Sequence, residues 1–257
     1  MTHPWFEGAS APRVLAHRGL VTAEDAAHGV VENSFMAVAT AHAAGADYVE
    51  SDCHLTADGV VVLFHDDSLS RVTGDPRPVA GVTARELESL MAERGGLITL
   101  PQALRSFPTM RFNLDVKADD AAEAVGRAVA REAHRVLVTS FSDERRRRAM
   151  DAATSAGGQP ATSAGTGTIT RVLAALSVRS ERLLTRALAE ADALQVPERQ
   201  RGIRIVTPRL IAAAHRHSVE VHVWTVNDPD AMRRLVSMGV DGIVTDRADL
   251  ALAVLRP

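Results

Sequence analysis

A chain of 257 residues with 46% hydrophobic content has the length of one α/β barrel or of two ordinary domains, and enough apolar residues for a sizeable core. Its formal net charge of -3 supplies no global basic field for nucleic acid, and a single cysteine, Cys53, excludes an internal disulfide framework. No apolar run reaches the ~20 residues of a membrane span or carries the charged start of a signal peptide, so the expectation is a soluble, cytoplasmic protein without stable membrane insertion.

Residues 1–12 read as a tail laid over the surface. After them, apolar and β-branched runs predict strands at 13–17, 46–52, 110–116, 135–140, 192–197, 219–225 and 240–245, with a weaker one around 159–163. Alanine-, leucine- and arginine-rich helical stretches separate them. This alternation predicts a (β/α)8 TIM barrel, one domain over residues 1–257. A doubly wound open sheet is the alternative, but no Gly-x-Gly-x-x-Gly follows the first strand. Between about 53 and 100 the alternation breaks. Asp52–Thr56 reads as a hairpin arm that turns at Asp58-Gly59 into Val60–Phe64, followed by a Pro- and Gly-rich stretch around a short helix near Ala84–Glu93. This small insertion after the second strand is expected on the catalytic face, shaping the mouth of a site or serving as a structural cap.

In a parallel barrel the residues at strand C-termini meet at one face. His17, Glu50, Asp52, Asp115, Lys117 and Trp224 all stand at such ends. His17-Arg18-Gly19 follows the first strand and His65-Asp66 ends the hairpin, giving two imidazoles that exchange protons near neutral pH and an arginine fork for an oxyanion. Alternation places Glu50 and Asp52 on one face of their strand and turns Cys53 away, as a buried small apolar residue. Lys117 is the only lysine in the chain. Alone it would be a leftover surface residue; two positions after Asp115 it is better read as a compact cation of the site.

The remaining features have plainer readings. His28, His42, His134, His215, His217 and His222 are assigned to surface or core roles, and Arg145–Arg148 to the solvated face of a helix, since Asp143, Glu144 and Asp151 surround it. Thr162–Gly167 could cradle a phosphate, but a strand-to-helix turn is favoured. Trp224 reads equally as barrel packing or as a wall for substrate.

Taken together, His-Arg-Gly at 17–19, Glu-Asn-Ser at 32–34, Gly-Ala-Asp-Tyr-Val-Glu-Ser-Asp at 45–52 and Leu-Thr-x-Asp-Gly-Val-x-Val-x-x-His-Asp at 55–66 resemble the glycerophosphodiester phosphodiesterases. Phe141, Val-Trp-Thr-Val-Asn at 223–227 and Gly-Val-Asp-Gly-Ile-Val-Thr-Asp at 239–246 extend the resemblance to about residues 13–255. The resemblance implies a barrel enzyme that releases sn-glycerol 3-phosphate and an alcohol from small glycerophosphodiesters. It makes His17 and His65 the acid/base pair, puts Arg18 and Lys117 on the phosphoryl oxygens, and assigns a divalent metal to Glu50, Asp52 and Asp115. Asp115 departs from the family's more usual Glu, so it either sits closer to the metal or reaches it through water. Oxygen-only ligands suit Mg2+ or Ca2+. The alternatives are a phospholipase-type activity of the sphingomyelinase D or phosphatidylinositol phospholipase kind, which would need an exposed apolar rim that the insertion does not supply, and a non-catalytic phosphodiester binder.

Overall fold

The computed structural model describes residues 3–8 and 11–256. Its strands, in chain order, are β1 (Arg13–His17), β2 (Tyr48–Leu55), β3 (Val61–Leu63), β4 (Arg111–Val116), β5 (Val136–Thr139), β6 (Ala161–Thr162), β7 (Ala193–Pro197), β8 (Arg199–Gln200), β9 (Ile203–Arg204), β10 (Glu220–Trp224) and β11 (Gly242–Thr245). The order β6-β5-β4-β2-β1-β11-β10-β7 is parallel throughout, and one parallel bridge, Ser163 to Ala193, draws its two edges together. The result is a nearly closed eight-stranded barrel ringed by helices, as the alternation predicts. The faint eighth run is β6, only two residues long; Pro160 immediately before it has no N–H for the ladder.

Helix starts follow local chemistry. Ser34, Thr207 and Asp228 each accept a backbone N–H at the N-terminus of a helix, and the last two precede a proline at the first helical position. Among the described residues no helix is long and apolar enough to cross a membrane.

Register then sets the chemistry. His17 lies beside Glu50 across the β1–β2 pair, and Asp52 beside Asp115 across β2–β4. Cys53 alternates outward into the core between barrel and helices. Beyond the barrel rim β2 continues into an antiparallel pair with β3, from Cys53 opposite Leu63 to Leu55 opposite Val61. The stretch that follows has its own apolar cluster, including Val62, Phe64, Leu69, Val79, Leu87 and Met91. Its helix runs Ala84–Met91, started by a reciprocal Thr83–Glu86 cap.

Two expectations are corrected. The first residues are not a surface tail: Trp5 and Phe6 are buried against Leu15, Tyr48, Leu137, Ala161, Ala193 and Val244 inside the N-terminal end of the barrel. The Trp5 indole donates to Phe112 O (3.0 Å) and Tyr48 Oη donates to Trp5 O (3.0 Å), so both polar handles are satisfied while two large rings leave water. Residues 1, 2, 9 and 10 of that stretch lie outside the described residues. The arginine run is also not uniformly solvated. Arg145 pairs with Asp119 (2.7 Å) and Arg148 with Glu123 (3.3 Å), but Arg146 is buried under the helix and donates to Thr162 Oγ1 (3.3 Å).

Candidate active site

At the end of β1 the chain reverses sharply. Arg18 has φ +57°, Gly19 has φ +90°, and a Cβ on Gly19 would lie 2.6 Å from the Ala37 carbonyl carbon. Arg18 N donates to Glu50 O (2.7 Å), and Asn33 N donates to Arg18 O (2.9 Å), which holds a conformation costly for a side chain of this size. The guanidinium Nε then stands 3.0 Å from Asp52 Oδ2, an ion pair whose angle does not make a hydrogen bond. Asn33 Nδ2 donates to the same oxygen (2.9 Å).

Asp52 and Asp115 share Lys117, whose Nζ is 2.9 Å from Asp52 Oδ1 and 2.7 Å from Asp115 Oδ2. Burial opposes ionisation of Asp52, but Lys117 and Arg18 outweigh it and hold its pKa below the ordinary carboxylate value. For Asp115 the balance reverses: burial, helped by the charge on Asp52, wins over Lys117 and raises it. Burial also works against the lysine's charge, yet the two aspartates raise its pKa. Among the described residues Glu50 has no lysine or arginine paired with it, only the His17 imidazole with Nε2 at 3.9 Å. Burial first, then the neighbouring Asp52 charge, push it up to about 8.

Each histidine is backed by an aspartate. His17 Nδ1 is 2.6 Å from Asp246 Oδ1, and Asn227 Nδ2 holds the other carboxylate oxygen at 2.7 Å. Burial of His17 disfavours its charge, but the Asp246 hydrogen bond and the Glu50 carboxylate together raise its pKa. His65 Nδ1 is 2.5 Å from Asp66 Oδ1; Arg71 clamps Asp66 through Nε (2.6 Å) and reaches Glu32 (2.7 Å). Buried His54 donates Nε2 to the His65 carbonyl at 3.1 Å. The insertion therefore contributes His65 and the salt-bridged bracket behind it.

His17, Arg18, Glu50, Asp52, His65, Asp115, Lys117 and Trp224 all line one cavity of about 310 Å3 at the C-terminal ends of the strands. The carboxylates, the two histidines and the cations make one side. Phe141, Ile169, Leu173, Val196, Ile205 and Trp224 make an apolar side, and the Phe141 and Trp224 rings meet edge-on at 5.8 Å. Sequence reasoning assigned no role to Asp246 or Asp66. Asp246 follows a strand end just as Arg18 does, so the same rule could have found it; Asp66 needed only its adjacency to His65. The turn at Thr162–Gly167 has its helix N-terminus filled by Asp143, which accepts from Gly165 N (3.1 Å) and Thr168 N (2.8 Å). It is a capped strand-to-helix turn, as favoured.

Among the described residues no three carboxylate, imidazole or thiol groups converge as a ready metal cage, because Lys117 draws Asp52 and Asp115 to itself. The donor chemistry nonetheless fits a hard divalent cation. The donors are all oxygen, Asp115 Oδ1 is buried without a hydrogen-bond partner, and Glu50 faces like charges that a cation would offset.

A parallel barrel that gathers two aspartate-backed imidazoles, three carboxylates and two cations at the C-terminal ends of its strands has the makeup of a phosphoester hydrolase. Comparison with known proteins narrows this class. The model of the glycerophosphoryl diester phosphodiesterase family matches residues 17–250. The chain is 38% identical to a probable glycerophosphodiester phosphodiesterase 2 of Mycobacterium tuberculosis, over 94% of this chain and 89% of that one. Its fold superposes on a glycerophosphodiester phosphodiesterase of Thermotoga maritima with a TM-score of 0.73 at 25% identity, covering 97% of this chain and all of the other. An Oleispira antarctica phosphodiesterase, solved in complex with its product sn-glycerol-3-phosphate, shares the fold at TM-score 0.71 and 22% identity, covering 96% of this chain and 98% of that one. The chain belongs to the glycerophosphoryl diester phosphodiesterase family and is an enzyme of the phosphoric diester hydrolase class, which removes the non-catalytic binder from consideration.

Proposed function

We propose that this enzyme hydrolyses glycerophosphodiesters to sn-glycerol 3-phosphate and an alcohol, with His17 and His65 as its proton-transfer pair. The observation that carries the reading is that both imidazoles, each tied through Nδ1 to an aspartate, line the same cavity as Arg18 and Lys117. With Nδ1 engaged, Nε2 is the nitrogen left to exchange a proton with substrate. One histidine removes the proton of the attacking hydroxyl and the other protonates the departing alkoxide; the attacker is water, or the glycerol's own 2-hydroxyl, in which case the alcohol leaves with formation of a cyclic phosphate that a water then opens to sn-glycerol 3-phosphate. Arg18 and Lys117 offset charge on the non-bridging oxygens. Glu50, Asp52 and Asp115 would hold Mg2+ or Ca2+, which supplies Lewis-acid charge at the phosphoryl group when bound. The product in the Oleispira antarctica complex is the one this reaction would release.

A coupled assay for glycerol 3-phosphate, run on deacylated phospholipids with Mg2+, Ca2+ or EDTA, tests this. Absence of glycerol 3-phosphate from every glycerophosphodiester, with either metal, overturns the reading. A second reading is favoured by the apolar side of the cavity: Ile169, Leu173 and Val196 would accommodate an alkyl chain on the substrate, in the manner of a phospholipase-type enzyme. Comparing kcat/KM for glycerophosphocholine and lysophosphatidylcholine decides between them.

A further inference from the structure

After β7 the chain leaves the barrel as a small antiparallel hairpin, β8 and β9, in which Arg199 lies opposite Arg204 and Gln200 opposite Ile203. Its six residues, 199–204, are all exposed, and Ile203 is 68% exposed, the most of the large hydrophobic residues that face solvent among the described residues. The hairpin stands at the cavity mouth, since Gln200 and Ile205 both line the cavity and Ile203 shares a face with Gln200. Phe141, 56% exposed, belongs to the same mouth.

The charge arrangement has no internal explanation. Two arginines directly opposite on a ladder repel each other, and a two-stranded hairpin has little stability to spare. Among the described residues neither they nor Arg201 forms a salt bridge; Arg199 donates only within the turn, to Gly202 O at 3.2 Å. The acidic neighbour at the base, Glu198, attracts Arg199 and Arg204 from a distance but is itself paired with Arg234 at 2.8 Å. An exposed isoleucine on one face of the hairpin tip, two arginines on the other and a third in the turn suit a tip that enters a surface anionic above and apolar beneath.

We infer that the β8–β9 hairpin docks the enzyme reversibly on anionic lipid surfaces, with Ile203 entering the interface and Arg199, Arg201 and Arg204 on the headgroups. Docking there brings the apolar side of the cavity to the source of single-chain lipid substrates. The exposed apolar rim expected of a lipid-directed enzyme thus comes from the loop after β7, not from the insertion. The inference bears on the substrate reading above, but vesicle binding is measured without turnover, so the two fail separately.

The experiment is co-flotation of the full chain with phosphatidylcholine vesicles, with and without phosphatidylglycerol. Wild type is expected to float with anionic vesicles only and to be released by salt. Arg199→Gln/Arg201→Gln/Arg204→Gln should weaken binding on the order of a hundredfold, from roughly fivefold per arginine, and Ile203→Ser should weaken it less. Both variants should keep the Tm of the wild type, which shows that they fold without reference to turnover. Equal flotation with neutral vesicles, or unchanged binding by the triple variant, overturns the proposal. So does a duplex RNA or DNA fragment that binds in the same assay more tightly than anionic vesicles and is lost in the triple variant, since the patch would then be a nucleic-acid contact.

Discussion

The two ends of this barrel are built from the same strands and treat charge in opposite ways. At the N-terminal end Arg13 on β1 meets Glu220 on β10 through two oxygens (2.7 and 2.8 Å), and also donates to Tyr48 Oη (2.7 Å) and Phe6 O (2.8 Å). Trp5 and Phe6 cover the group, and Glu220 also meets His222 at 3.0 Å. At the C-terminal end, four residues along the same β1, His17 faces Glu50, whose carboxyl is forced toward its neutral form; Asp115 Oδ1 has no hydrogen-bond partner and Arg18 Nε only a poorly angled ion pair. A group paired on every side holds a fold together. Groups left short of partners in a cavity have interactions to give to a ligand. One polar chain joins the two ends: Asn113 donates to Gln195 (3.3 Å), Gln195 contacts His222 (3.2 Å), and His222 contacts Glu220.

The largest expected effect falls on the open end. His17→Ala or His65→Ala should lower kcat/KM by roughly 10²–10⁴-fold with little change in Tm, and His17→Ala should also remove one limb of the pH–rate profile. Normal turnover in either variant would break the assignment of function to that end. At the closed end the pattern should invert. Trp5→Ala removes a fully buried ring and should cost about 3–5 kcal/mol, a fall of roughly 10 °C in Tm, while activity per folded molecule stays near wild type. A Trp5→Ala enzyme of normal Tm would return the first residues to the surface-tail reading.

Sequence reasoning reached the two ends unequally. The strand alternation gave the barrel, and the strand-end rule collected His17, Glu50, Asp52, Asp115, Lys117 and Trp224, because period-two register and parallel strands place such residues together whatever their separation. The closed end stayed hidden. Nothing periodic marks Trp5 and Phe6, and their burial depends on a barrel mouth assembled from six later strands. His222 and Glu220 alternate with apolar residues as any half-exposed strand does, so their inward pairing with Arg13 is visible only once the strands are side by side. The role of the β8–β9 hairpin was missed for a similar reason: Arg199 and Arg204 become informative as a cross-strand pair, not as members of an arginine-rich chain.

Acid should separate the ends a second way. Burial disfavours the Glu220 carboxylate, but hydrogen bonds from Arg13 and His222 overcome this and lower its pKa from 4.5 to about 2. A group with a depressed folded-state value contributes stability above its unfolded value of 4.5 and loses it as pH falls toward 2. That window holds roughly 3 kcal/mol for this residue. Glu220→Gln should therefore be less stable than wild type at pH 6, and the gap in unfolding free energy should shrink between pH 4.5 and 2. Parallel curves would show that the Arg13 cluster is not what sets acid stability.

A smaller effect is expected behind the histidines. Asp246→Asn keeps the shape but replaces an acceptor of the His17 Nδ1 proton by an amide; a loss of about 10–100-fold in kcat, with KM nearly unchanged and the His17 limb moved to lower pH, marks a positioning residue. A shift in KM alone would make Asp246 a substrate contact instead.

The smallest expected change is also the sharpest test of what the open end lacks. Asp115 spends one carboxylate oxygen on Lys117 and leaves Oδ1 buried without a partner, which is the atom a cation would take. If that oxygen binds metal directly, Asp115→Asn should weaken metal affinity strongly, since the amide has lost its charge, whereas Asp115→Glu should keep activity within about tenfold of wild type, the cavity accepting one methylene at modest cost. If the contact runs through water, the amide can still orient that water and the Asn variant should titrate with Mg2+ or Ca2+ almost as wild type does. Isothermal titration of each protein with the metal alone separates these outcomes without reference to turnover. Wild-type affinity in Asp115→Asn leaves Glu50 and Asp52 as the direct ligands and makes Asp115 the counter-charge that fixes Lys117.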